Sequence, residues 1–293
     1  MKLTDEHIPV LLKEVVEFLD PQEGKKYIDA TFGFGGHSVE IIKRGGQVLG
    51  IEWDPEVFQL AKERFHCPNA SRLTLIEENF ANIKAISEEN NFALVDGILF
   101  DLGISLWHYK KAKRGFSFND QKLDMRLNPH LSTLALEIIN HSSYDQFYEI
   151  FTKLAQERLA GPIARALVHT RHLKKINSAV DLASLVEKVY CQHGVKSKFH
   201  PATKVFLAIR TVVNQELENL RAGLTGAIKI LRPGAKLAVI TFNSNEDRIV
   251  KNFLREEEKR GALEKLPLIF PSKDEIRANP LARSAKLRTA IKQ

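Results

Sequence analysis

Between residues 29 and 38 the chain reads Asp29-Ala30-Thr31-Phe32-Gly33-Phe34-Gly35-Gly36-His37-Ser38. Glycines this close together let a backbone approach a ligand closely, and a glycine-rich turn from a strand into a helix is a common seat for nucleotide-like cofactors. Glu52, at the end of the next strand-like run, has the position from which a carboxylate grips ribose hydroxyls. The same grammar serves nicotinamide cofactors, and Gly33 to Ser38 is one residue away from that fingerprint, with Ser38 where a third glycine would stand. Asp29 favours the other reading. A carboxylate inside the strand, just before the glycines, is the arrangement of enzymes that use S-adenosyl-L-methionine, which offers a zwitterionic methionine end instead of a pyrophosphate. A second acid, Asp101, closes the run Asp96-Gly97-Ile98-Leu99-Phe100. In open α/β sheets ligands bind beyond the carboxyl ends of strands, so an acceptor there can orient an amine or the cofactor's amino group.

These residues need a scaffold, and the hydrophobic pattern supplies one. Val10 to Leu19 has the spacing of an amphipathic helix, and Pro21 to Gly24 ends it with turn residues. Lys25 to Thr31 predicts a first strand, His37 to Arg44 a helix, Gln47 to Glu52 a second strand, Asp54 to Phe65 a second helix and Arg72 to Ile76 a third strand. Val95 to Phe100 is an unbroken apolar run, as expected of a strand in a parallel sheet covered on both faces. This alternation predicts a doubly wound, Rossmann-like α/β sheet. It stops at about Lys110. Residues to Pro129 read as polar loop, and Leu134 to about Tyr190 are nearly all helix-patterned. A long helix over Thr203 to Leu231, a turn at Arg232-Pro233-Gly234 and a strand over Lys236 to Phe242 resume the rhythm, followed by a helix at Asp247 to Lys259 and a strand at Ala285 to Ile291. The expected organisation is therefore a sheet domain built from 1–109 and 203–293, interrupted by a loop and an all-helical insert over 110–202.

Composition narrows the classes. At 293 residues with 44% hydrophobic and 27% charged residues, the chain is long and apolar enough to bury a full core, which excludes a disordered or fibrous protein. No apolar run reaches the length of a membrane span, and Met1 to Pro9 lacks the profile of a signal peptide, so a cytoplasmic address is expected. Cys67 and Cys191 have no metal-like spacing and read as inert thiols. The net charge of +7 favours a polyanionic partner.

From His7 onward the sequence is similar to the bacterial 16S rRNA cytosine-N(4) methyltransferases, the RsmH or MraW family. The similarity rests on segments that occur in the family's order: His7 to Leu12, Asp29 through Ser38, Asp101-Leu102-Gly103, Arg114 to Phe118, Leu123 to Arg126, His200 to Thr203, Asn243 to Arg248 and Ser284 to Arg288. The resemblance implies a class I methyltransferase core with an inserted helical domain, S-adenosyl-L-methionine as cofactor, and 16S rRNA or the small ribosomal subunit as partner. It places Gly35, Gly36 and His37 at the cofactor's methionine side, Glu52 on the ribose, Phe80 beside the adenine, Asp101 near the reactive end, and His108 where the family usually has Gln. Glu52 stands where the family usually has Asp, Leu207 for Gln, Lys204 for Arg and Asn243 for His; Leu106 to Lys110 departs from the family's loop.

Methylating cytosine's 4-amino group needs an acceptor that draws the nitrogen lone pair out of conjugation. Asp101 is the first candidate and Asp124 the second. A base paired in a helix is out of reach, so an unpaired or extruded one is required, with Trp107, Phe116 and Phe118 as stacking surfaces and Arg114, Arg126, Lys204, Arg210, Arg248 and Lys251 as phosphate contacts. A catalytically inactive RNA-binding or ribosome-assembly relative, a methyltransferase for another RNA, and a nicotinamide oxidoreductase are the competing readings.

Overall fold

The computed structural model describes residues 9–65 and 71–293; His7, Ile8 and Cys67 fall outside the described residues. Seven strands form one sheet: β1 (Lys26–Asp29), β2 (Gln47–Glu52), β3 (Leu73–Glu77), β4 (Val95–Asp101), β5 (Leu231–Thr241), β6 (Leu263–Lys265) and β7 (Lys286–Lys292). Their order is β3-β2-β1-β4-β5-β7-β6, with β1 to β5 parallel and β7 antiparallel to both neighbours. The expected Rossmann-like sheet is therefore present. Its order reverses between β1 and β4, and such switch points open a crevice beyond the strands' carboxyl ends.

The helices are α1 (Leu12–Leu19), α2 (Gly36–Lys43), α3 (Pro55–Arg64), α4 (Ile83–Glu89), α5 (Leu106–Lys110), α6 (Ala135–His141), α7 (Tyr144–Ala155), α8 (Ala160–Leu173), α9 (Ala179–Gln192), α10 (Thr203–Val213), α11 (Glu216–Ile230), α12 (Ser244–Lys259) and α13 (Lys273–Ala278). Alternating side chains of the strands feed two cores. Ile28, Leu49, Ile98, Phe100 and Val239 pack with Ile83, Leu224 and Val250, while Tyr27, Val48, Leu99 and Ile240 pack with Leu11, Val15 and Ile41. A sheet with both faces covered keeps its polar groups for its edges and strand ends. In α11, Gly223 and Gly226 leave room for Phe80, Phe100 and Ile83, since a Cβ at Gly223 would lie 2.8 Å from the Phe80 ring and one at Gly226 2.7 Å from Ile83.

The chain divides into two compact units, 1–103 with 217–293, and 104–216. These limits differ from 109/110 and 202/203. Residues 203–216 go with the helical unit because α10 buries Val205, Phe206 and Ile209 beside Phe147, Ile163 and Leu182 of that unit's core. The long helix expected over Thr203 to Leu231 is broken, since Gln215 adopts φ 50° between α10 and α11. Leu106 to Lys110, expected to be loop, form the short α5. The strand expected from Lys236 begins at Leu231, with a register shift opposite Val95 and Gly97.

One buried side chain ties the polar stretch before α6 to α10. Asn214, fully buried, donates to the carbonyls of Met125 (2.7 Å) and Arg210 (2.9 Å) and accepts the Leu127 N–H (2.7 Å). Asn214→Ala strands buried backbone donors and acceptors, at about 1–3 kcal/mol for an unsatisfied group. Urea unfolding of the full chain should show a loss of about that size in the transition reporting the helical unit, whereas an unchanged midpoint would mean that the loop is held elsewhere.

Candidate active site at the carboxyl edge of the sheet

Strand β1 ends at Asp29, whose carboxylate is buried. One oxygen accepts the Ser38 hydroxyl at 2.7 Å and the other the Thr31 N–H at 3.3 Å. The turn that follows needs its glycines for space as well as conformation. Gly35 has φ 74°, and a Cβ there would lie 2.6 Å from the Phe65 ring; at Gly36 it would lie 2.3 Å from Pro9. The N–H of Gly33 points to Glu52 Oε2 at 2.9 Å, while Glu52 Oε1 accepts the Asp54 N–H at 2.8 Å. Asp54 in turn caps α3 by accepting the N–H groups of Glu56 and Val57.

Strand β4 brings Asp101 to the same edge. Its N–H donates to Thr31 Oγ1 at 2.6 Å, tying β4 to the turn after β1. Asp101 Oδ2 lies 3.7 Å from His37 Nδ1, and Oδ1 is buried with no hydrogen-bond partner. His37 Nε2 is 3.1 Å from the Val10 carbonyl. A carbonyl only accepts, so Nε2 carries the hydrogen and Nδ1 faces Asp101. The Asp101 side chain is 18% exposed, enough to meet a ligand.

The electrostatics of this edge are unusual. Burial pushes Asp29 up to about 6 against the pull of Ser38 and Thr31. Burial also takes Glu52 to about 7, its bonds from Asp54 and Gly33 opposing the shift. Asp101 rises to about 8, through burial first and then through the charges of Asp29 and Glu246. No lysine or arginine pairs with any of these three carboxyls among the described residues. Carboxyls held above their ordinary values in this way would be returned to carboxylates by a positive charge placed beside them.

The structure thus gathers Gly35, Gly36, His37 and Asp101, and links Glu52 to them through Gly33. Phe80 lies in a short helical turn capped by Asn79, half-buried, its ring edge-on to Phe100 at 5.6 Å. His108 belongs to the helical unit, where it is buried, with Nδ1 3.0 Å from Ser105 Oγ and its ring edge-on to Trp107 and Phe116. Asp124 is in that unit too, with both oxygens on the Arg126 guanidinium at 2.7 and 3.0 Å. Phe116 is core, and Phe118 stacks on His200 at 4.0 Å. Three contributors were not singled out from sequence: Thr31, Ser38 and Glu246. Glu246 had a readable signal, because Asn243 and Glu246 form the capping box of α12, with Asn243 accepting the N–H groups of Asn245 and Glu246. Asn243, where the family usually has His, is therefore a helix cap.

Comparison with known proteins places the chain in a family. The MraW methylase family profile matches residues 4–293. A protein named ribosomal RNA small subunit methyltransferase H from Carboxydothermus hydrogenoformans is 39% identical over 306 residues, covering 98% of this chain and 97% of its own length. Its counterpart from Buchnera aphidicola subsp. Schizaphis graminum is 40% identical over 319 residues, covering 99% of each. Among solved structures, a candidate rRNA-methylase from Clostridium thermocellum has the same fold, with a TM-score of 0.50 at 13% identity over 98% of this chain and 99% of that one. With the profile spanning nearly every residue and relatives near 40% identity end to end, this chain belongs to the MraW methylase family.

Proposed function

We propose that this protein is an S-adenosyl-L-methionine-dependent methyltransferase that acts on the 4-amino group of a cytidine in the decoding region of 16S rRNA, in the cytoplasm. The observation that carries the reading is the trio of buried Asp29 and half-buried Glu52 and Asp101, unmatched by a lysine or arginine among the described residues. S-adenosyl-L-methionine bears a sulfonium and an ammonium, the charges this edge lacks. Relatives named for small-subunit rRNA methylation supply the substrate class.

The residues fit the cofactor. Gly35, Gly36 and His37 would hold its methionine side, and Asp101 Oδ1, buried without a partner, is free to accept from it or from the substrate amine. Glu52 accepts the N–H groups of Gly33 and Asp54, and because carboxylate oxygens accept more than one bond each, a ribose hydroxyl could join them. Phe80 would lie beside the adenine. When bound, the cofactor supplies a methyl group that an amine can attack.

The chain's own part is to prepare that amine. Asp101 is held protonated near neutrality by its surroundings, and a nearby positive charge returns it to the carboxylate that can accept an N–H. Accepting that bond favours a pyramidal nitrogen whose lone pair points away from the ring. Once that nitrogen had taken the methyl group the cofactor would supply, its surplus proton would leave, with Asp101 placed to take it. His37, fixed by the Val10 carbonyl, stands behind Asp101 Oδ2. Asp124 is the poorer acceptor because Arg126 occupies both its oxygens. Alignment of the reactants is worth up to roughly 7–11 kcal/mol.

Asp101→Asn should keep the fold and cofactor binding within about tenfold, yet slow methyl transfer to small-subunit RNA by about 10²–10³, the loss typical of one preorganised electrostatic contact. Single-turnover assays with labelled cofactor measure this, and a rate within threefold of the parent would remove the catalytic role. Stability should carry a pH signature as well. Folded-state pKa values of about 6, 7 and 8 lie above the ordinary carboxyl values, so the folded chain binds more protons. The stability these groups contribute is complete below about pH 4 and declines as pH rises through 6–8. Thermal unfolding without cofactor should therefore show a falling midpoint from pH 5 to 8, and Asp101→Asn should reduce that fall. A rising midpoint over that range would contradict the reading. Titration calorimetry should give the opposite trend for the cofactor, with affinity increasing from pH 5.5 to 8; a flat profile would show that the three acids do not answer its charge.

A further inference from the structure

The chain's excess charge is confined to one unit. Residues 104–216 hold seventeen Lys and Arg against nine Asp and Glu, whereas the rest of the chain holds 26 against 27. Several of the seventeen are committed internally. Arg114 donates to the carbonyls of Arg126 and Leu127, Arg126 is bound to Asp124, and Arg210 is bound to Glu216. Others gather where the turn between α7 and α8 meets the segment between α9 and α10. Arg158 donates to the Lys196 carbonyl at 3.0 Å, and Lys204 to the Gln156 carbonyl at 2.9 Å, so exposed cations join the two segments. Beneath them buried Glu157 fixes the corner, accepting the Tyr190 hydroxyl at 2.8 Å and the Leu159 N–H at 2.9 Å. Lys196 and Lys198 are exposed on the same segment, which also presents Phe199, 62% exposed, with the Lys198 ammonium 5.9 Å from its ring centre. The opposing charges nearby are buried Glu157 and, at the surface, Glu187, paired with His200 at 2.9 Å.

We propose that this corner docks a single-stranded segment of RNA, with Phe199 stacking on a base and Arg158, Lys196, Lys198 and Lys204 meeting its phosphates. The proposal rests on the RNA-methylating reading above and locates a contact for that substrate. An exposed aromatic ring with the Lys198 ammonium beside it and further cations on the same corner suits a partner that alternates flat bases with negative charge. An acidic protein surface would satisfy the cations and leave the ring uncovered. Duplex RNA would offer phosphates but no unstacked base.

The test is fluorescence anisotropy of the full chain with a labelled twelve-nucleotide oligocytidine RNA over a salt series, for the parent, Phe199→Ala, Phe199→Trp and the double variant Lys196→Ala/Lys198→Ala. Circular dichroism confirms folding, which surface positions should leave intact. Phe199→Ala should weaken binding about fivefold or more without changing the salt slope, and Phe199→Trp should restore it. The lysine variant should weaken binding and flatten the slope by about 1.4, the value for two phosphate contacts on a single strand. Affinities within twofold of the parent for both Phe199→Ala and the lysine variant overturn the proposal. So does a Phe199→Ala defect seen only on assembled subunits, since that marks a protein contact. Methyl transfer to protein-free 16S rRNA separates the two claims. A parent enzyme that methylates no RNA defeats the function proposed above, while variants that match an active parent in both assays defeat only the docking site.

Discussion

The constraint on which the catalytic unit depends is the burial of negative charge where parallel strands end. Strands β1 and β4 are covered on both faces, so their polar business is concentrated at their carboxyl ends. Asp29 and Asp101 occupy those ends on adjacent strands, and the turn between β1 and α2 is shaped around them. Ser38 and Thr31 reach back to Asp29, Thr31 also holds the Asp101 N–H, and Gly33 gives its N–H to Glu52. These bonds compensate only part of the desolvation, which is why all three carboxyls retain protons more tightly than in water. The site keeps an electrostatic debt that a cationic ligand discharges.

The helical unit shows a different economy of charge. Its arginines invite assignment to phosphates from their type alone, yet Arg114, Arg126 and Arg210 serve carbonyls and carboxylates of their own unit. Planar guanidinium groups satisfy several buried acceptors at once, and a loop-rich stretch such as 112–134 has many to satisfy. The residues left to face solvent are largely lysines on connecting segments, whose flexible heads are the less costly ones to leave in water.

Most of the sheet was legible from sequence because its strands are short apolar runs bounded by turn residues, and β2 begins and ends where the pattern put it. The break at Asn214 and Gln215 was not, since neither Gly nor Pro marks it and the left-handed conformation of Gln215 is imposed by tertiary bonds. β6 was also missed, being three residues with two exposed. In the candidate site, glycines and acids announced themselves by type and spacing. The supporting Thr31 and Ser38 carry ordinary polar side chains whose role depends on which carboxylate they meet in space. Asp124 shows the converse: a carboxylate in a matched segment looks available until its arginine is seen.

The position of β7 has a consequence for how the chain comes to be folded during synthesis. This strand, residues 286–292, lies between β5 and β6 and gives β5 its second neighbour. The helical unit is complete at residue 216, roughly seventy residues earlier, which at ribosomal rates is about 4–15 s. Until residue 241 is added β1 to β4 have been made without β5, and β4 carries an unpaired flank of backbone donors and acceptors in the middle of the future sheet; from then until residue 292 the unpaired flank is that of β5. The inserted unit can settle on its own contacts while its host waits. On this order of synthesis the host's strands are the ones that present unpaired edges to neighbouring chains until residue 292 has been added.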